Sequence, residues 1–255
     1  MSIDRAKLHK IYRYILDWFF PNRCPRCRTH IGWNEDFCPE CADSMEIYEG
    51  TADIPSVDRF TAYCVYDRNI SPVILRFKHT DAGNTYYAFA KRISMALERA
   101  DMRSGIDCIV PIPMSGSSLK KRGYNQAELI AKELRYMIDV PYDDVLVKIR
   151  DTAAQKTLGR EGRSKNLKDA FAVNPKYGNI KGRTFLLIDD VCTTGSTFAE
   201  AARVLKENGA LNVYAASFAK TPNKHKSIPE EIPEAEYEEQ TEALRNNVSD
   251  YIDAP

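Results

Sequence analysis

Phe185-Leu186-Leu187-Ile188-Asp189-Asp190-Val191-Cys192-Thr193-Thr194-Gly195-Ser196-Thr197 sets four apolar residues ahead of two adjacent carboxylates, a small hydroxyl-rich turn and a helix start. A strand buried on both faces reads as an uninterrupted apolar run, so Phe185 to Ile188 predicts an inner strand of a parallel α/β sheet. Ligands of such sheets sit beyond the carboxyl ends of the strands, which is where Asp189 and Asp190 are expected. Thr193, Thr194, Gly195, Ser196 and Thr197 offer hydroxyls and backbone N–H groups to a phosphate, and Gly195 can take a positive φ. The helix that follows has Phe198, Ala201, Ala202 and Leu205 on one face and a stop signal at Gly209. Its N-terminus aims partial positive charge at the same anion. Paired carboxylates repel a bare phosphate but accept hydrogen bonds from sugar hydroxyls and can help to hold Mg²⁺. The ligand that suits both halves is a phosphorylated ribose. A nucleotide P-loop fits less well, because no Gly-Lys-Ser/Thr follows the turn.

A second strand, Ile106 to Val110, leads into Pro111-Ile112-Pro113-Met114-Ser115-Gly116-Ser117-Ser118 and then, after Leu119, Lys120-Lys121-Arg122-Gly123-Tyr124-Asn125-Gln126. A Ser/Gly-rich loop trailed by three cations suits a polyanion, which makes Ser115, Gly116, Lys120, Lys121 and Arg122 candidates for a pyrophosphate. Asn125 and Glu128 predict a capping pair for the next helix, whose inner face is Ala127, Ile130, Ala131 and Leu134. The segment Lys148 to Lys168 has seven Lys/Arg, two Asp/Glu and little hydrophobic periodicity. It is expected to be a basic loop able to close over a bound polyanion.

Near the N-terminus, Cys24-Pro25-Arg26-Cys27 and Cys38-Pro39-Glu40-Cys41 are two Cys-x-x-Cys knuckles ten residues apart. Cys24, Cys27, Cys38 and Cys41 can present four thiolates to one Zn²⁺, and a site closed by four sulfurs is structural rather than catalytic. A pair of redox disulfides is the competing reading. Cys64, Cys108 and Cys192 lie in or beside apolar runs and are expected to be core packing.

The 255 residues carry 36 Lys/Arg and 36 Asp/Glu, unevenly spread. Positions 222–255 have nine Asp/Glu against three Lys/Arg, a net charge of −6, with four prolines and little periodicity. That end is expected to be an acidic, disordered or loosely helical tail. Leu8, Ile11, Tyr12, Ile15 and Phe19 recur at helical spacing among Lys7, Lys10 and Arg13, which predicts an amphipathic helix docked on its own domain, with membrane-surface or partner binding as the alternative. No apolar run approaches the ~18 residues of a spanning helix, and nothing signals export, so a cytoplasmic protein is expected. The organisation read from these features is residues 1–22 as the amphipathic helix, 23–50 as the zinc module, 51–221 as the main α/β domain and 222–255 as the tail.

The run from Phe185 to Thr197 resembles the 5-phosphoribosyl 1-pyrophosphate signature of the type I phosphoribosyltransferases: an apolar strand, two acidic residues, a linker and T-G-x-T. The resemblance implies a mainly parallel sheet flanked by helices, with Asp189 and Asp190 holding the ribose 2′ and 3′ hydroxyls and Thr193 to Thr197 the 5′-phosphate. Three features together look like the ComF family. These are the two knuckles after Phe20-Pro21, the stretch Val110-Pro111-Ile112-Pro113 through Lys121-Arg122-Gly123-Tyr124-Asn125-Gln126, and Arg150-Asp151-Thr152 with Gln155, Leu158, Arg163, Asn166 and Phe171. That family joins a phosphoribosyltransferase domain to a small zinc module, and some members are implicated in DNA uptake during natural transformation alongside a helicase-like partner. The resemblance implies transfer to a nitrogen acceptor with Mg²⁺ on the pyrophosphate and Asp189 and Asp190 steadying a cationic ring. The alternative is a non-catalytic module that binds single-stranded DNA or a competence partner. Purine-salvage enzymes of the hypoxanthine and guanine type place an aspartate before T-G; Thr193 stands there in this sequence, which argues against a purine handled in that way.

Overall fold

The structure is a computed structural model and describes residues 5–79, 83–150 and 167–222. The acidic tail from 223 onward and most of the basic segment, 151–166, lie outside the described residues. The elements in chain order are α1 (Arg5–Phe19), α2 (Pro39–Asp43), β1 (Arg59–Val65), α3 (Ser71–His79), α4 (Thr85–Arg99), β2 (Cys108–Pro111), α5 (Gly116–Arg122), α6 (Gln126–Ile138), β3 (Leu146–Lys148), β4 (Phe171–Val173), β5 (Thr184–Cys192), α7 (Ser196–Glu207) and β6 (Asn212–Lys220).

Four strands make one sheet in the order β1-β6-β5-β2, every neighbouring pair parallel. β5 is an inner strand, and Phe185, Leu186, Leu187 and Ile188 are fully buried. Alternation divides them between two cores. Leu186 and Ile188 join Ile74, Phe77, Phe89, Ile93, Ile130 and Leu134 from α3, α4 and α6 on one face. Phe185 and Leu187 meet Phe198 and Leu205 of α7 on the other. β3 and β4 form a separate antiparallel ribbon whose two strands flank the basic segment.

β5 runs four residues farther than the apolar run predicts, so Asp189 and Asp190 lie within the strand rather than beyond it. Its two neighbours end at different heights. β2 stops at Pro111 opposite Ile188, followed by a single further bond from Ile112 N–H to the Ile188 carbonyl at 2.9 Å. A proline cannot donate to the ladder, and the chain turns away there. β6 continues, pairing Asp189 with Ser217, Val191 with Ala219 and Cys192 with Lys220. The sheet edge is therefore a step, and the two aspartates stand on its tread.

The cysteine module is bonded into this domain. Cys24, Phe37, Cys38, Cys41 and Met45 are buried in the same core as Phe89 and Phe218. Phe37 and Phe89 both stack on Phe218, with ring centroids 6.2 and 3.7 Å away. The buried Asp36 carboxylate accepts from Arg92 Nε and lies 3.3 Å from Lys91 Nζ. Residues 46–48 cover the outer edge of β1 through an antiparallel bridge between Ile47 and Cys64, which shields an otherwise open strand. From α3, Arg76 Nη2 donates to the carbonyls of Pro25 and Arg26 in the first knuckle, both at 2.7 Å.

α1 reverses the expected docking. Its polar side faces the domain: His9 Nε2 lies 2.8 Å from Glu133 Oε2, and the Arg13 guanidinium sits 3.3 Å over the Tyr87 ring. Leu8, Ile11, Tyr12, Ile15 and Phe19, expected to be the docked face, are exposed. Amphipathic spacing defines two faces but not which one a domain recruits. Arg13 wins because Asn84 Oδ1 and the Trp33 carbonyl accept from its Nη2 at 2.8 and 3.1 Å beside an aromatic face.

Candidate functional site

Adjacent residues of a strand point to opposite faces, and the sheet step leaves both carboxylates at the same edge. Asp190 is 6% exposed and lies on the α3 side, where Lys78 Nζ comes within 3.1 Å of its Oδ2. The contact is an ion pair at hydrogen-bond distance, and it leaves the buried Oδ2 with lone-pair capacity that no further protein donor takes up. Burial works against the Lys78 charge, yet the charges of Asp190 and Asp189 together hold its pKa above the ordinary lysine value. Asp189 is partly buried, and its pKa is pushed up to about 8, first by burial and then by the neighbouring Asp190 charge, with Lys78 opposing.

In the ligand-free fold Asp189 therefore binds a proton more tightly than it does in the unfolded chain. Stability from this group is present at acid pH and is lost as pH rises from about 4 toward 8, since the folded state then sheds a proton it favours. Asp189→Asn is expected to raise the melting temperature by several °C or more at pH 8.5 and by almost nothing at pH 4.5, because a carboxyl pushed up to about 8 loses roughly several kcal/mol of folding free energy across that range. Equal shifts in thermal melts at the two pH values would contradict this.

The turn behind the aspartates is built from Thr193 to Thr197. Thr194 Oγ1 and Ser196 Oγ are 2.8 Å apart, and Gly195 precedes α7 with φ +82. Thr194 Oγ1 accepts from Ser196 N–H at 3.4 Å, and Gly195 has no side chain to cap the N–H groups that follow, which suits an anion there. Lys220, 5% exposed at the end of β6, donates to the carbonyls of Thr193 and Thr221 at 2.8 and 2.7 Å, so a buried cation pins the turn from below. A Cβ on Gly195 would stand 3.0 Å from Ile54 Cγ1. Gly195→Ala is expected to cost about 1–3 kcal/mol through the left-handed backbone and that contact. A variant that melts within 1 °C of the parent would count against this packing. Cys192 is 2% exposed, and burial pushes its thiol up to about 12, which suits packing rather than nucleophilic chemistry.

The pyrophosphate candidates do not form the expected loop. Ser115 caps a short helix by accepting from Ser118 N–H at 3.3 Å, and Gly123 ends that helix with φ +80. Ser115 and Gly116 stand at its start, next to the β2 exit beside the sheet step. Lys120 and Lys121 are exposed in its last turn, roughly 6–9 Å farther along the axis. Of the three cations, Arg122 is the one whose charge is felt at Lys78. Asn125 caps α6 as expected, accepting from Ala127 N–H at 3.1 Å. Glu128 pairs with Lys132 at 2.5 Å instead of completing a capping box. Tyr124 and Gln126 both donate to the Phe77 carbonyl, at 2.6 and 3.4 Å. The Arg-Gly-Tyr-Asn-Gln stretch thus holds the end of α3 that carries Lys78. Lys78 and Lys220 escaped the sequence reading because each is a lone cation in an otherwise ordinary helix or strand.

In the cysteine module, the four Sγ atoms of Cys24, Cys27, Cys38 and Cys41 all lie within 4.8 Å of one another. A tetrahedral zinc with bonds of about 2.3 Å separates its sulfurs by about 3.8 Å, so this donor set fits one such ion. Cys38 opens the second knuckle as the residue before α2, with Pro39 in the first helical turn and Cys41 inside the helix. Among the described residues this is the only cluster of metal-ligating side chains.

Residues 88–240 match the phosphoribosyl transferase domain, which defines the class of protein to which this sheet and its turn belong. Residues 15–52 match the double zinc ribbon domain. Competence protein F of Haemophilus influenzae is 28% identical over 214 residues, covering 75% of this chain and 93% of that protein. Competence protein ComFC of Bacillus subtilis is 26% identical over 205 residues, covering 80% and 77%. DNA utilization protein YhgH of Escherichia coli K12 is 28% identical over 199 residues, covering 74% and 86%. The chain belongs to the ComF family, with a phosphoribosyltransferase domain and an N-terminal four-cysteine zinc ribbon. Adenine phosphoribosyltransferase of Saccharomyces cerevisiae is a similar solved structure, 18% identical over 59% of this chain and 74% of that one, with a TM-score of 0.37.

Proposed function

We propose that this domain binds 5-phosphoribosyl 1-pyrophosphate at the sheet step and displaces its pyrophosphate with a nitrogen acceptor. The observation that carries the reading is the buried Asp190 carboxylate, whose Oδ2 has Lys78 Nζ at 3.1 Å as its protein neighbour, on the same edge as the Thr193–Thr197 turn. Ribose hydroxyls would supply further donors, and α7's N-terminus would receive the 5′-phosphate. Asp189 and Asp190 hold the sugar and steady positive charge as the C1–O bond breaks and the acceptor nitrogen bonds to C1. Pyrophosphate leaves toward Ser115, Gly116 and Arg122. Mg²⁺, when bound, neutralises the leaving oxygens, and the two aspartates are the carboxylates on this edge that could help to hold it. Thr193 in place of an aspartate argues for an acceptor other than hypoxanthine or guanine. Relatives named for competence and for DNA utilization support a setting in the handling of incoming DNA.

Calorimetry with 5-phosphoribosyl 1-pyrophosphate and Mg²⁺ tests the reading, with one site per chain expected. Absence of binding to folded, zinc-loaded protein would overturn it. Pyrophosphate release across a panel of nitrogen acceptors separates a transferase from a binding module. Binding without release for any acceptor would leave the non-catalytic role in place.

A further inference from the structure

α1 turns its apolar face to solvent. Trp18, Phe19 and Phe20 are 76, 74 and 75% exposed, and Leu8, Ile11 and Ile15 are 55, 56 and 52% exposed. At 3.6 residues per turn, the exposed set Tyr14, Trp18, Ile11, Ile15, Leu8, Phe19 and Tyr12 spans one arc of about 160°, entered by a single cation, Lys7, near its Tyr14 border. A surface helix ordinarily buries that stripe, and isolated exposed apolar residues need no explanation, whereas a contiguous patch of this size marks a contact surface. The opposite face is already committed through His9, Arg13 and Asp17, the last accepting from Asn22 N–H at 2.8 Å. The helix therefore cannot simply roll its apolar side inward.

The charges around the patch choose the occupant. Arg5 and Lys10 are exposed on its two borders, and Asp17 is the one carboxylate on α1. An open groove of about 700 Å³ lies between α1 and α6, where Lys132 and Arg135 extend the cationic rim beside Leu8, Tyr12 and Ile15. A second copy of α1 packed in parallel would bring the same cations together, and in either direction Asp17 is the one carboxylate each helix offers against them. An apolar face rich in Trp, Phe and Tyr with Lys and Arg at its edges instead suits the boundary of an anionic bilayer, where aromatic rings anchor and cationic heads reach the phosphates.

We propose that α1 is an interfacial helix that seats this protein on anionic phospholipid surfaces. The inference is independent of the sugar site. The zinc-loaded full chain is expected to sediment with phosphatidylglycerol vesicles at about 0.1 M NaCl and not with phosphatidylcholine vesicles, and binding should weaken steeply as salt rises. Trp18→Ser with Phe19→Ser should weaken binding at least tenfold, while zinc content and melting temperature stay unchanged. Arg5→Glu with Lys10→Glu should remove the preference for anionic lipid. No binding, or equal binding to both lipids, would overturn the proposal. Self-association that the Trp18→Ser, Phe19→Ser variant abolishes would assign the face to a second copy, and would also overturn it.

Discussion

Removal of the metal from Cys24, Cys27, Cys38 and Cys41, or Cys38→Ser, is expected to abolish cooperative folding of the phosphoribosyltransferase domain itself. The reason is where the module is buried. Cys24, Phe37, Cys38 and Cys41 share one core with Phe89, Ile93 and Phe218, so no seam separates ribbon from sheet. Loss of the ribbon would unstack Phe37 from Phe218, uncover the edge of β1 and leave Arg92 without Asp36. Breaking a buried ion pair alone costs about 3–5 kcal/mol. A structural zinc contributes about 10–16 kcal/mol in isolated fingers, comparable to the whole net stability of a typical domain, about 5–15 kcal/mol. Circular dichroism melts before and after chelation would show the cooperative transition disappear. A small early transition that left the main one in place would refute the argument.

Asp190→Asn is expected to weaken binding of 5-phosphoribosyl 1-pyrophosphate about 100-fold, and the double Asp189→Asn, Asp190→Asn variant to abolish it. A hydrogen bond to a charged group contributes about 1.5–3 kcal/mol, and the Asp190 carboxylate stands to make it from inside the fold, where water competes little. The effect should fall on binding far more than on folding, because Lys78, 27% exposed, can turn to solvent when its partner is neutralised. Calorimetry and a melt on the same sample separate the two. Unchanged affinity would remove the aspartates from the sugar site.

The inner strand β5 was legible because burial on both faces leaves an uninterrupted apolar run, as in Phe185 to Ile188. The knuckles were legible because metal ligation dictates spacing. The extent of β5 was not, since Asp189 and Asp190 read as the end of a strand until β6 is seen to continue beside them to Lys220. α5 was hidden by its own start, where Ser115, Gly116, Ser117 and Ser118 have turn-like composition but Ser115 caps a helix. Lys78 was hidden more deeply. Its role depends on α3 lying across the end of β5, a long-range fact that no local pattern encodes.

α3 is nine residues long, and besides the Phe77 carbonyl held by Tyr124 and Gln126 it is tied at both its knuckle side and its sheet side. Arg76 grips the carbonyls of Pro25 and Arg26 in the first knuckle, and two residues later Lys78 meets Asp190. The cysteine knuckle thus acts as a datum from which the lysine's position is gauged. A larger ion with longer bonds to sulfur would move that datum by tenths of an ångström, and α3 would hand the displacement to the carboxylate proposed to hold the sugar. The identity of a metal remote from the proposed sugar site would in this way bear on the dimensions of that site.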